Sequence, residues 1–164
     1  MPNIMPDQLE EIASQLLKGA GASDDEAATV ARLSISANLA GHDSHGIIQI
    51  PTYIDRVDRG HIVPGAEFEI LKDTPTTTVI DGHWGFGYVV AERAMQMTIE
   101  KAKTQNVAAT TVHRQSHIGR LASYPLMGAQ ADMIAMITAD SGRSAKGVVP
   151  FGGRGKRLGT NPIS

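Results

Sequence analysis

An α/β fold, built as a helical N-terminal segment followed by a mixed α/β sheet, is predicted by three observations. Apolar residues recur at helical spacing from residue 9 to residue 57. From residue 66 onward, β-prone runs alternate with helix-periodic ones. The chain has 164 residues, 41% of them hydrophobic and 20% charged, which is the make-up of a domain that buries a real core. The change of pattern divides the sequence into residues 1–75, mainly helical, and residues 76–164, an α/β unit.

The elements follow in order. After Pro6 and Asp7, Leu9, Ile12, Ala13, Leu16 and Leu17 mark one face of a first helix, with Lys18 and Gly19 as C-terminal signals. Ser23 and Glu26 form a capping box that opens a second helix through Ala27, Ala31, Ile35 and Leu39, and Gly41 ends it. Pro51 sits at the first turn of a short third helix that runs through Ile54 and Val57 to Gly60. Residues 66–71 and 76–80 are β-prone runs around Asp73-Thr74-Pro75, the signature of a hairpin. Residues 87–103 return to helix, with Ala91, Ala94, Met95, Thr98 and Ala102 on one face. Residues 107–112 read as a buried strand, residues 118–131 as a weak helix broken near Pro125, and residues 133–138 as a further strand. The last residues, 148–153 and 158–164, run out on an apolar upswing without a cap, which predicts that the chain stops short of a complete domain.

Composition excludes several functions. A net charge of −2 leaves no cationic excess to release counterions from nucleic acid. The absence of cysteine removes disulfides, thiolate metal sites and thiol nucleophiles. No basic n-region precedes an apolar run, and no run reaches membrane-span length, so the expectation is a cytoplasmic protein without a membrane partner.

Chemistry points to the six histidines, because imidazole titrates nearest neutrality. Four fall in two groups: His42 and His45 in Gly41-His42-Asp43-Ser44-His45-Gly46, and His113 and His117 in a segment that follows a predicted strand. Ligands of open α/β sheets collect beyond strand C-terminal ends, which favours His117. Gly85-Phe86-Gly87 lacks the third small residue of a dinucleotide fingerprint, and the acidic residue expected about twenty positions on is missing. It reads as a strand-to-helix turn. Gly152-Gly153-Arg154-Gly155-Lys156-Arg157 fails the Walker A spacing and reads as a solvated basic turn, although its amides and cations could lie near a phosphate. Residue chemistry alone leaves three readings open. One is a redox enzyme whose histidine takes a hydroxyl proton. Another is a metal-dependent hydrolase or lyase with His42, His45, His113 and His117 as ligands. The third is an interaction domain whose histidines are incidental.

Three ordered motifs narrow the choice. Ala37-Asn38-Leu39-Ala40-Gly41-His42-Asp43-Ser44-His45-Gly46 with Ile50-Pro51, Ser116-His117-Ile118-Gly119-Arg120, and Val149-Pro150-Phe151-Gly152-Gly153 with Gly159-Thr160-Asn161-Pro162 resemble those of the type 2 malate/L-lactate dehydrogenase family. Within it, the chain is most similar to the hydroxycarboxylate dehydrogenase B and ureidoglycolate dehydrogenase branch. The resemblance implies a non-Rossmann NAD(P)-dependent fold and a homodimer or larger oligomer. It also implies hydride transfer between NAD or NADP and a small 2-hydroxyacid or 2-oxoacid. Members are about twice as long, so the resemblance implies an N-terminal half, inactive alone, whose residues 76–164 are part of a cofactor-binding domain.

Matched by motif, His117 is implied as the proton-transferring residue and His45 as the second catalytic histidine. Ser44, Gln49 and Tyr53 fall at positions that approach substrate. Gln49 stands where many members carry an arginine that could pair with the substrate carboxylate, and Arg120 is the candidate replacement. Ser141, Thr160 and Asn161 match cofactor-contacting positions.

Overall fold

The computed structural model describes residues 4–140 and 146–164. Helix α1 (Pro6–Gly19) opens with proline in its first turn, where a missing N–H costs nothing, and carries Lys18 in its last turn. Helix α2 (Asp24–Leu39) begins at the expected capping box: the Glu26 N–H donates to Ser23 Oγ at 3.3 Å, and the Ser23 N–H donates to Glu26 Oε2 at 2.9 Å. The other Glu26 carboxylate oxygen accepts from the Gly65 N–H at 2.9 Å, so a buried acid also ties the distant 64–65 turn to the helix. Past the C-cap Ala40, Gly41 takes a φ of +75°, which stops the helix. Two short 3-10 turns, Asp43–His45 and Ile47–Gln49, lead into α3 (Ile50–Asp58) with Pro51 in its first turn.

Strands β1 (Glu69–Asp73) and β2 (Thr77–Asp81) form the expected hairpin, antiparallel from Glu69 opposite Asp81 to Asp73 opposite Thr78, with a bulge between Ile70 and Lys72. The Thr74 hydroxyl closes the turn by accepting from the Thr77 N–H at 2.9 Å. Helix α4 (Gly87–Gln105) then carries the chain across to β3 (Ala109–His113), which pairs parallel to β2 with Asp81 opposite His113. Parallel neighbours require such a crossover, and the sheet order is β1-β2-β3. One core joins Ala13 and Leu17 of α1, Val30 and Ala31 of α2, Ile50 and Tyr53 of α3, and Phe86, Tyr88 and Val89 at the start of α4. A smaller cluster of Ile80, Val90 and Ala94 seats α4 on the sheet. The first turns of α4 are thus held on two sides.

Three expectations need correction. The run at 107–112 is a strand only from Ala109 to His113, and it is not buried: its residues alternate between exposed and half-buried, and Val107 is 73% exposed. Thr110 and Val112 face α4 while Ala109, Thr111 and His113 lie on the sheet's other, exposed face, so period-two alternation replaces the expected continuous burial. Pro125 does not break a helix. It lies in the first turn of α5 (Ser123–Gln130), where proline is tolerated. Residues 133–138 do not join the sheet. Their pairing is a single bridge, Thr138 opposite Ile163, and Ile134 and Met136 face solvent, so an apolar run with strong β propensity finds no second strand among the described residues.

Candidate active site

The first histidine group is positioned from the last turn of α2. Asn38 Oδ1 accepts from the Ile47 N–H at 2.8 Å, which fixes the two 3-10 turns against the helix that precedes them. Gly46 permits this approach, because a Cβ there would overlap the Asn38 carboxamide. Within the turns, Ser44 Oγ lies 2.9 Å from His45 Nδ1, and Gln49 Nε2 donates to the Ser44 carbonyl at 2.7 Å. His42 Nδ1 lies 3.2 Å from the Ala40 carbonyl, and its ring meets that of His45 edge-on at 6.5 Å.

The second group leaves the C-terminal end of β3. Arg114, at a φ of +51°, turns the chain and pairs through its guanidinium with Asp81 at the adjacent end of β2. These hydrogen bonds hold the Asp81 carboxyl down at about 2, against the opposing effect of burial. Two residues on, Ser116 Oγ accepts from the Gly87 N–H at 2.8 Å, filling a vacant acceptor position at the start of α4. Gly87 and Gly119 are required here: a Cβ at Gly87 would strike the Ser116 and His117 carbonyls, and one at Gly119 (φ +67°) would strike the Tyr88 ring.

The result brings the two groups together. The rings of His45 and His117 stack with centroids 5.5 Å apart and planes inclined at 28°. Tyr53, wholly buried on α3, places its hydroxyl 2.8 Å from His117 Nδ1 and 3.3 Å from the Tyr88 hydroxyl. Tyr88 in turn donates to the His45 carbonyl at 3.1 Å. Each phenol has one proton, and the His45 carbonyl can only accept. The arrangement that keeps a hydrogen bond in all three contacts has Tyr88 donating to the carbonyl, Tyr53 donating to Tyr88, and His117 Nδ1–H donating to Tyr53. The second ring nitrogen of His117, Nε2, then carries a lone pair. Burial, together with the charges of His45 and Arg56, lowers His117 to about 4, so its ring is neutral at neutral pH.

Of the sequence-predicted residues, His45, His117, Ser44, Gln49 and Tyr53 converge on this site. Arg120 follows His117 by three residues, and among the described residues its buried Nε has no hydrogen-bond partner; the buried Gln115 Oε1 is likewise unpaired. Thr160 and Asn161 lie on an exposed stretch between the bridging residues Leu158 and Ile163, and Ser141 lies outside the described residues. His113 turns away: its Nε2 is 3.5 Å from Asp81, on the Arg114 side of the loop. The four-histidine metal site is therefore not formed, and the described residues contain no group of three or more potential ligands that could hold an ion. Tyr88 is the residue that the motifs did not assign; its only signal is a lone phenol among apolar residues at the start of a helix.

Comparison with known proteins identifies the family. Residues 4–164 match the family model for malate/L-lactate dehydrogenase. The chain is 34% identical over 161 residues to L-sulfolactate dehydrogenase of Methanocaldococcus jannaschii, covering 98% of the chain and 46% of that protein. It is 37% identical over 155 residues to hydroxycarboxylate dehydrogenase B of Escherichia coli K12, covering 94% and 43%. The solved malate dehydrogenase of Pyrococcus horikoshii OT3 superposes with a TM-score of 0.94 at 30% identity, over 99% of this chain and 46% of that one. The chain thus spans under half the length of the relatives it matches. Among the described residues, no helix is long and apolar enough to cross a membrane. By sequence and fold, the chain belongs to the malate/L-lactate dehydrogenase family of oxidoreductases.

Proposed function

We propose that the protein bearing this chain interconverts a small 2-hydroxyacid and its 2-oxoacid, of the malate, lactate or sulfolactate type, using NAD or NADP. The observation that carries this reading is the stacking of His45 on His117 over a buried phenol pair, in a chain of this family. His117 Nε2, free and neutral, takes the proton of the C2 hydroxyl in oxidation and returns it in reduction. His45, steadied by Ser44, lies on the other side of the same ring stack and holds the hydroxyl or carbonyl oxygen. Gln49 fixes the turn through the Ser44 carbonyl, and Arg120 offers an unpaired guanidinium nitrogen to the substrate carboxylate.

Two buried polar atoms flanking His117, Gln115 Oε1 and Arg120 Nε, are unpaired among the described residues and fit a polar ligand in this region. The nicotinamide, when bound, supplies the hydride acceptor in oxidation and the donor in reduction. Thr160, Asn161 and Ser141 would hold it, with residues 76–164 as part of its binding domain. In this reading the protein is a cytoplasmic homodimer or larger oligomer, and the chain by itself does not turn over.

The test is His117→Asn in the intact protein, assayed by NADH and NADPH oxidation across a panel of 2-oxoacids. Turnover should fall by about a hundredfold or more, the usual contribution of general acid–base catalysis. Cofactor binding, followed by reduced-nicotinamide fluorescence, should be retained. Undiminished turnover would exclude His117 from proton transfer.

A further inference from the structure

The two 3-10 turns that carry His45 share an anchor on α2. Asn38, one residue before the end of that helix, spends its carboxamide on both. Its Oδ1 accepts from the Ile47 N–H at 2.8 Å, where the second turn begins, and its Nδ2 donates to Asp43 Oδ1 at 2.5 Å, where the first begins. A backbone N–H can only donate and a carboxylate only accept, so the two partners between them fix which way the amide faces. His45 lies between these two points.

Asparagine is a poor helix former, because its side chain ordinarily competes for backbone groups close by. Here it reaches five and nine residues forward instead. The ties of His45 itself run mostly within the turns. Its N–H donates to the His42 carbonyl, and its ring is met by Ser44 Oγ, both in the first turn or at its edge, while Tyr88 reaches its carbonyl from α4. A shift of the turns therefore carries the imidazole with it, and with it the stack on His117.

We propose that Asn38 is a positioning residue that sets the His45 ring against that of His117, and that both halves of its carboxamide are needed, the acceptor for one turn and the donor for the other. In its kinetic form this inference rests on the 2-hydroxyacid reading above; in its geometric form it does not. Aspartate, the isostere, keeps the acceptor for Ile47 but sets a second carboxylate against Asp43, where like charges repel.

An exchange of the two side chains tests it in the intact protein. Asn38→Asp opposes carboxylate to carboxylate, whereas Asn38→Asp combined with Asp43→Asn reverses the pair and restores a donor against an acceptor at the wild-type net charge. In 2-oxoacid reduction at neutral pH, kcat should fall by about ten- to a hundredfold in Asn38→Asp with little change in KM, the usual cost of a misdirected functional group. The exchanged pair should recover to within about threefold of the wild type, the coupling expected of residues in contact. Asp43→Ala removes the acceptor without opposing charges and should show the same loss in smaller measure, which keeps the test open should Asn38→Asp not fold. Binding sites counted by reduced-nicotinamide fluorescence correct each rate for any unfolded fraction. An undiminished kcat in both single variants, or a loss that the exchange does not repair, overturns the assignment. NMR of the histidine ring protons reads the geometry without turnover. His45 and His117 signals that move in the single variants and return in the exchanged pair support the positioning role even if no oxoacid is reduced. Ring signals that stay in place in the single variants reject it whatever the turnover.

Discussion

At the scale of single residues, the site depends on where one proton sits. Tyr53 accepts from His117 Nδ1 because its own proton is committed to Tyr88, and Tyr88 is committed to the His45 carbonyl. Tyr53→Phe deletes the acceptor and frees the imidazole to exchange tautomers. We expect kcat/KM to fall by about ten- to a hundredfold, as when other orienting partners of a functional histidine are removed. Nitrogen NMR of His117 should show Nδ1 protonated in the wild type and a mixture in the variant; the same tautomer and rate in both would refute the relay. Ser34 Oγ, 3.5 Å from the Tyr88 hydroxyl, extends the chain of buried hydroxyls by one weaker link.

At the scale of elements, caps and crossovers set the geometry. Ser23→Ala removes the acceptor for the Glu26 N–H and leaves the Glu26 carboxylate with Gly65 and the bare Ser23 N–H position. Urea denaturation should register a loss of about 1 kcal/mol, the usual worth of such a cap, and no change would mean that the two hydrogen bonds of the Glu26 carboxylate secure the helix start. That capping box was legible in the sequence, as were the helices at 9–57, because periodicity, first-turn prolines and a terminal glycine are local signals. Strand 107–112 was legible in type but not in burial, since whether a helix covers one face or both is a property of the sheet and not of the segment. The run at 133–138 has the composition of a strand, yet among the described residues it makes only the bridge from Thr138 to Ile163, and no local pattern records whether a partner strand exists. Pro125 misled for the opposite reason: its position within the helix, not its identity, decides its effect.

At the scale of the molecule, the parallel crossover explains why two histidine groups remote in sequence share one site. Helix α4 returns the chain so that β3 ends beside β2, and its first turn rests on Ser116 while its Tyr88 reaches the His45 carbonyl. The motifs made both histidines visible in the sequence. Tyr88 was not, because its meaning lies in what surrounds it, a carbonyl from a distant turn.

All the chain's tyrosines, three in number, are buried: Tyr53, Tyr88 and Tyr124, the last donating to the Ile118 carbonyl at 2.6 Å. Burial is the leading cause that pushes each phenol above its ordinary value of 10.0. Stability from this source is therefore intact below pH 10 or so and drains away in stronger alkali, where the unfolded chain sheds phenolic protons that the folded one retains. Base titration followed by tyrosinate absorbance should stay silent until the fold gives way, then rise in one step that coincides with loss of circular dichroism. A gradual rise ahead of that loss would mean that at least one ring is reached by hydroxide in the native state. The three buried phenols, two of them packed against the His117 ring, thus double as a built-in optical gauge of unfolding, readable without any added dye.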